Sequence, residues 1–278
     1  MSNKLHNIRP GDRTANDFLT SSIIRFGGLK DYIQEKLMVD TFVVDGNLGI
    51  ARGIRFYIQN QKSRLEKLDR IKVLDVGPAI GALSSLLIMQ ELAHAGLLNK
   101  TNLILTDVSE RVIERTQNRD FEFPETLINP IYKSQIIAKL RLAKGWAESV
   151  ESLSIKDEFI DITLAGFLFR HLRGDLKPRA AAEMERITKP GGFIGIADAW
   201  FDNHNDYLAL HKDDEIPLAF ESPISYRRLR GLFKQTEIFD AHNPIKRGKK
   251  NDPFYYFCGF KKATLGTGPR TGGQVNIS

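Results

Sequence analysis

The stretch KVLDVGPAIGALSSLLIM, residues 72–89, constrains the fold more than any other part of the chain. An apolar run ends on Asp75-Val76, a tight Gly77-Pro78-Ala79-Ile80-Gly81 turn follows, and a strongly apolar helix begins at Ala82. A strand apolar on both faces that feeds straight into a helix belongs inside a parallel sheet covered by helices. The same order of elements turns backbone N–H groups toward a ligand at the mouth of the helix, which is a nucleotide-type arrangement.

Downstream, short β-rich runs alternate with helical stretches. Strands are expected at 72–76, 102–106, 139–145, 159–165, 192–197, 236–241 and 254–260. The last two have no helix between them, so the sheet should close with an antiparallel hairpin strand. Upstream, Ile50, Ile54, Tyr57, Ile58, Leu65 and Leu68 fall near one helical face, while Gly27-Gly28 and Asp45-Gly46 are expected to break the first 70 residues into short helices. The expected organisation is a helical N-terminal cap over 1–70, an α/β core over 71–262 with substrate-side insertions at 118–137 and 200–234, and a flexible tail over 263–278. That tail, ATLGTGPRTGGQVNIS, is too poor in apolar residues to offset the entropy of ordering.

Composition removes several classes of function. The single cysteine, Cys258, excludes an internal disulfide and a cysteine-rich metal site, and it suits a reducing, cytoplasmic location. No signal-like apolar stretch opens the sequence, and no run is long and apolar enough to span a bilayer. The 278 residues carry a net charge of +6, but residues 241–278 hold seven basic side chains against one acid, leaving 33 of each sign before them. The excess thus sits around the loop Lys246-Arg247-Gly248-Lys249-Lys250 and not on a basic face, so nucleic acid is not an expected partner.

The glycine turn narrows the ligand. Ala79 stands where a dinucleotide fingerprint needs glycine, and Gly81 is followed by Ala82-Leu83 where a phosphate loop needs Lys-Ser/Thr. Asp75, two residues before Gly77, would repel a pyrophosphate and favour a ligand with an ammonium and no phosphate.

On these residues the sequence resembles the class I S-adenosylmethionine-dependent methyltransferases, over about residues 71–197. LDVGPAIG is similar to the family's first motif, with Asp75, Gly77 and Gly81 in place. Asp107, ending LILTD, resembles the acidic residue that accepts from both ribose hydroxyls. Gly145-Trp146-Ala147-Glu148 is similar to the family's Gly-Asp-Ala-Glu beside adenine, with Trp146 replacing the aspartate. The run from FIDITLAGF to KPGGFIGIAD looks like the fourth strand, its helix capped by Asp175, and the turn into the fifth strand.

The resemblance implies a Rossmann-like, seven-stranded, mostly parallel sheet and S-adenosyl-L-methionine as cofactor, with S-adenosyl-L-homocysteine as product. The implied cofactor set is Asp75, Gly77, Pro78, Gly81, Asp107, Val108, Trp146, Ala147, Glu148 and Ala165. Phe167, Arg170, His204 and Tyr207 are expected on the acceptor side, with His171 as general base. AGFLF lacks the Asn/Asp-Pro-Pro-Tyr/Phe motif of amide and exocyclic-amine methylation. It also offers no carboxylate to pair with Asp198 or Asp202, so no metal is expected. The expected reaction is in-line methyl transfer to an oxygen or nitrogen of a small molecule such as a secondary metabolite, with the oligomeric state left open. The alternatives are an RNA or protein methyltransferase using the basic C-terminal loop, and a cofactor-binding protein without turnover.

Overall fold

The computed structural model describes residues 41–78, 82–118, 127–199, 222, 224–242 and 254–262. Seven strands form one sheet in the order β3-β2-β1-β4-β5-β7-β6. They are β1 (Ile71–Val76), β2 (Thr101–Asp107), β3 (Lys144–Ala147), β4 (Ile160–Gly166), β5 (Thr188–Ala199), β6 (Thr236–His242) and β7 (Phe254–Lys261). β1 pairs in parallel with both β2 and β4, β3 with β2, and β5 with β4. β7 runs antiparallel to β5 and β6, as a hairpin without an intervening helix requires. The crossover from β1 to β2 goes one way and the path to β4 the other, so a topological switch lies between β1 and β4 at their carboxyl ends.

The helices are α1 (Thr41–Lys67), α2 (Leu83–His94), α3 (Glu110–Asn118), α4 (Pro130–Arg141), α5 (Leu176–Ile187) and α6 (Tyr226–Leu232). Two apolar clusters flank the sheet. One joins α1 and α2 to Val73, Leu103, Leu105, Ile162 and Phe193. The other joins Ala180, Ala181, Met184 and Ile187 of α5 to Leu74, Ile104, Ile194 and Phe257. Ala180, Ala181, Met184 and Ile187 are all fully buried.

Three local expectations change. Asp45-Gly46 does not break a helix, because α1 runs unbroken through it. Gly46, Gly49 and Gly53 are spaced along the side of α1 that meets the sheet. A Cβ on Gly46 would lie 2.8 Å from the Phe167 ring, on Gly49 2.3 Å from Tyr256, and on Gly53 2.3 Å from Cys258 Sγ. The glycines trade helix propensity for close approach of the helix backbone to the sheet. Ile50, Ile54, Tyr57, Ile58 and Leu65 bury the apolar face foreseen for this segment.

The third strand begins at Lys144, five residues later than expected, because 139–141 belong to α4. Asn129 accepts from the Ile131 amide at 3.0 Å and Pro130 sits at the first helical position, a strong start signal within the segment taken as an insertion. Finally, Asp175 makes no side-chain cap. Its carboxylate is held by Arg173 at 3.2 and 3.0 Å.

Candidate active site

The carboxyl ends of β1, β2 and β4 meet at the switch point. Asp75, on β1, is fully buried. One carboxylate oxygen accepts from the Ser85 amide at 3.1 Å and the Ser85 hydroxyl at 2.7 Å. Ser85 is the third residue of α2, whose preceding residue, Ala82, supplies no side-chain cap. The strand carboxylate therefore caps the helix from outside it. The other oxygen, Oδ1, has no partner among the described residues. Burial pushes the carboxyl up to about 7 against the pull of the two Ser85 bonds, and Asp107 adds to the rise.

Asp107 ends β2 half-buried and accepts from the Ser109 amide at 3.0 Å. Its carboxyl is also pushed up, to about 6, by burial. The two carboxylates lie on adjacent strands, Asp107 two residues beyond Leu105, the register partner of Asp75, and neither has a cationic partner among the described residues. Gly77 leaves β1 with φ +64°, its amide donating to the Thr106 carbonyl at 2.7 Å. A Cβ there would also lie 2.7 Å from Leu168, so both conformation and space require glycine. Pro78 is buried behind it, whereas Ala79, Ile80 and Gly81 lie outside the described residues.

Beyond Asp107, Val108 is 54% exposed, an apolar surface at the strand mouth. β3 supplies Gly145, Trp146 and Ala147, and the Glu148 amide donates to the Asp107 carbonyl at 2.8 Å. The Glu148 carboxylate accepts from the Trp146 indole at 2.7 Å and from the amide and hydroxyl of Ser154. Its side chain thus shapes the loop after β3.

The β4 end forms the other half of the cleft. Ala165 is fully buried, and Phe167 follows Gly166 with φ +61°, in the left-handed region that bulky residues rarely adopt. The Phe167 amide donates to the Ala197 carbonyl at 2.7 Å, and its ring lies between the α1 backbone at Gly46 and the Arg170 guanidinium, 5.4 Å away. A 3₁₀ turn, Phe169–His171, then carries Arg170 and His171. Arg170 Nε donates to His171 Nε2 at 3.2 Å. A neutral imidazole has one lone pair in its ring plane, and here it is engaged by the guanidinium. His204 and Tyr207 lie outside the described residues, as does most of 200–234.

Three site features escaped the sequence. Asn47 of α1 is buried, donates to the Val43 carbonyl at 2.8 Å and accepts from Ser84 at 2.7 Å. The pair roofs the β4 end: a Cβ on Gly166 would lie 2.4 Å from Ser84 Oγ and 2.6 Å from Asn47 Oδ1. A polar residue three positions before Ile50 on an apolar face was the available signal. Asp198, weighed only as a metal ligand, is fully buried and bound to amides. Lys177, in the first turn of α5, is buried beside it. Among the described residues, no group of three or more His, Cys, Asp or Glu side chains could hold a metal. No helix described is long and apolar enough to cross a membrane.

Residues 74–196 match the family model for a methyltransferase domain. The match takes in the stretch from β1 to β5, less than half of the chain. No protein of curated function matches the sequence. Among solved structures, the chain resembles a methyltransferase from Thermotoga maritima (17% identity, 83% of this chain and 99% of that one, TM-score 0.48). A TehB-like methyltransferase from Corynebacterium glutamicum matches at 15% identity, over 77% of this chain and 88% of that one, with TM-score 0.44. A candidate sarcosine dimethylglycine methyltransferase from Galdieria sulphuraria matches at 15% identity and TM-score 0.45, over 68% of this chain. The alignment spans 63% of that protein, less than two thirds of its length. The matched segment thus begins within β1 and ends within β5, and it contains both Asp75 and Asp107.

Proposed function

We propose that the protein is an S-adenosylmethionine-dependent methyltransferase that delivers the methyl group by in-line displacement to an oxygen or nitrogen of a small molecule. The observation that carries this reading is the pair Asp75 and Asp107, two buried or half-buried carboxylates on neighbouring strands with no cation to balance them among the described residues. A ligand with an ammonium and a vicinal diol fits that pair, since each carboxylate oxygen can accept hydrogen bonds and one of them, Asp75 Oδ1, has no partner among the described residues. Bound there, the cofactor supplies an electrophilic methyl on a cationic sulfur, which becomes a neutral thioether as the acceptor's lone pair forms the new bond.

The chain's residues divide the remaining work. In this reading Asp107 holds the sugar hydroxyls. Gly77 and Pro78 set the turn under the cofactor, Val108 with Trp146 and Ala147 gives an apolar flank for the base, and Glu148 keeps Trp146 in place. Ala165 lies on the cofactor side, while Phe167 and Arg170 line the acceptor side, where exclusion of water aligns the nucleophile with the methyl group. His171 takes the acceptor's proton, and Arg170 must first release its Nε2.

Calorimetry with S-adenosylhomocysteine tests the cofactor reading, and absence of binding heat overturns it. His171→Ala should slow transfer to an acceptor found in a small-molecule panel while leaving cofactor affinity intact. An unaltered rate would retire His171 as the base.

A further inference from the structure

The end of β5 and the start of α5 meet beneath the 3₁₀ turn in an arrangement of buried charge that methyl transfer itself does not require. Asp198, fully buried at the end of β5, accepts from the Arg170 amide at 3.0 Å with one oxygen and from the Ala199 amide at 2.7 Å with the other. Lys177, 4% exposed in the first turn of α5, donates to the Phe169 carbonyl at 2.5 Å and to the Leu172 carbonyl. An anion thus grips an N–H of the turn, while a cation grips the carbonyls on either side of Arg170 and His171.

Local preference opposes this placement. A lysine in the first turn of a helix faces the positive end of the helix dipole, and burying an ammonium or a carboxylate is strongly unfavourable unless it is paired. Burial accordingly lowers the Lys177 ammonium to about 8 and raises Asp198 to about 6, and the opposite charges partly offset each shift. Behind Asp198, Tyr255 of β7 is buried and spends its hydroxyl on the Ile224 carbonyl at 2.9 Å, so its O–H is not offered to the carboxylate. An apolar pair of similar volume would fill this space with less desolvation. What the charged pair adds is directional hold on three backbone groups of one short turn.

We propose that Asp198 and Lys177 are positioning residues of the acceptor side, a buried pair of opposite charges that clamps the Phe169–His171 turn and so aims Arg170 and His171 into the cleft. The functional part of this assignment rests on the methyltransferase reading above; the clamp itself does not. Neither side chain touches cofactor or acceptor. Both act through the turn.

The test uses the full chain and Lys177→Met, which keeps the stem volume and removes the ammonium. Hydrogen exchange of the amides at 170–172 should quicken at least about tenfold, while affinity for S-adenosylhomocysteine stays within about twofold, because the opening is local and not global. The His171 Cε1–H resonance should move in the same variant. Lys177→Arg, which still donates to both carbonyls, should restore exchange and resonance together. If Lys177→Met does not fold, Asp198→Asn serves for the same measurements. A folded variant whose 170–172 amides and His171 signal match the parent overturns the clamp, and so does exchange that rises equally across the sheet. If the parent protein fails to bind S-adenosylhomocysteine, the proposed function falls, while the exchange result still decides the clamp.

Discussion

The two edges of the sheet treat buried carboxylates in opposite ways. At the amino edge, Asp161 of β4 is fully buried and surrounded by donors: Lys189 Nζ at 2.7 Å, the Lys72 amide at 3.0 Å and Arg64 at 3.9 Å. Arg64 also donates to the Gly191 carbonyl at 2.9 Å, tying the end of α1 to the Lys-Pro-Gly-Gly start of β5. At the carboxyl edge, Asp75 and Asp107 have only N–H and hydroxyl partners, and one oxygen of Asp75 has none among the described residues. A charge whose role is architectural is neutralised within the chain. A charge left without a counter-ion in the apolar interior weakens the fold and keeps its interaction energy for a ligand.

The largest expected effect tests the open edge. Asp75 is held at about 7 in the folded protein against an ordinary 3.8, so the folded state binds its proton more tightly than the unfolded chain does. Its contribution to stability is complete below about pH 4 and is lost as pH rises toward 7. A shift of this size corresponds to at most roughly 4 kcal/mol. Urea titrations of the ligand-free protein from pH 4 to 7.5 should show stability falling with pH, and Asp75→Asn should flatten most of that slope. Asp107 and Asp198, both raised to about 6, leave a residual slope of the same sign. A parent protein whose stability rises over this range would refute the contrast.

Breaking the closed edge should cost slightly less and touch only stability. Lys189→Met leaves the buried Asp161 with Arg64 and an amide, a loss of about 3 kcal/mol, near the low end for a broken buried pair. Denaturation midpoints check the loss, and affinity for S-adenosylhomocysteine should not change. Asp107→Ala should do the reverse. Cofactor affinity should weaken by about 1–3 kcal/mol, the cost of leaving ligand hydroxyls without a partner, while the denaturation midpoint of the ligand-free protein should not fall. An unchanged dissociation constant would remove Asp107 from the site.

The smallest expected effect concerns α1, which joins the two edges. A methyl on Gly46 meets the Phe167 ring at 2.8 Å, while alanine gains about 1 kcal/mol of helix propensity. Overpacking of about 1–3 kcal/mol exceeds that gain, so Gly46→Ala should lower stability by about 1 kcal/mol. Gly231→Ala, in a short helix with nothing near the added Cβ, should instead be neutral or stabilising. Thermal melts of the two variants separate a packing effect from a propensity effect.

Much of the fold was legible because its signals are local. The apolar runs of β1, β2, β4, β5, β6 and β7 lie within a few residues of where periodicity puts them. The β6–β7 hairpin follows from the missing helix between two apolar runs. The third strand was misplaced because β3 is a short edge strand, with Lys144, Gly145 and Ala147 exposed, and the helix before it supplied the stronger apolar signal.

What the sequence by itself determined was the frame of the site. Asp75 and Gly77 bracket the end of one strand and Asp107 ends the next, so parallel pairing brings them together whatever surrounds them. Only the tertiary structure decided how each charge is balanced. Ser85 takes half of Asp75, Arg170 takes the lone pair of His171, and Asp198 and Lys177 converge on one turn from β5 and α5. It also decided that Gly46 serves close packing and does not end a helix. A pattern along the chain records which face of an element is apolar, but a buried polar group finds its partner across the fold, often scores of residues away. That partner, more than the residue type, sets whether the group supports the architecture or remains available to a ligand.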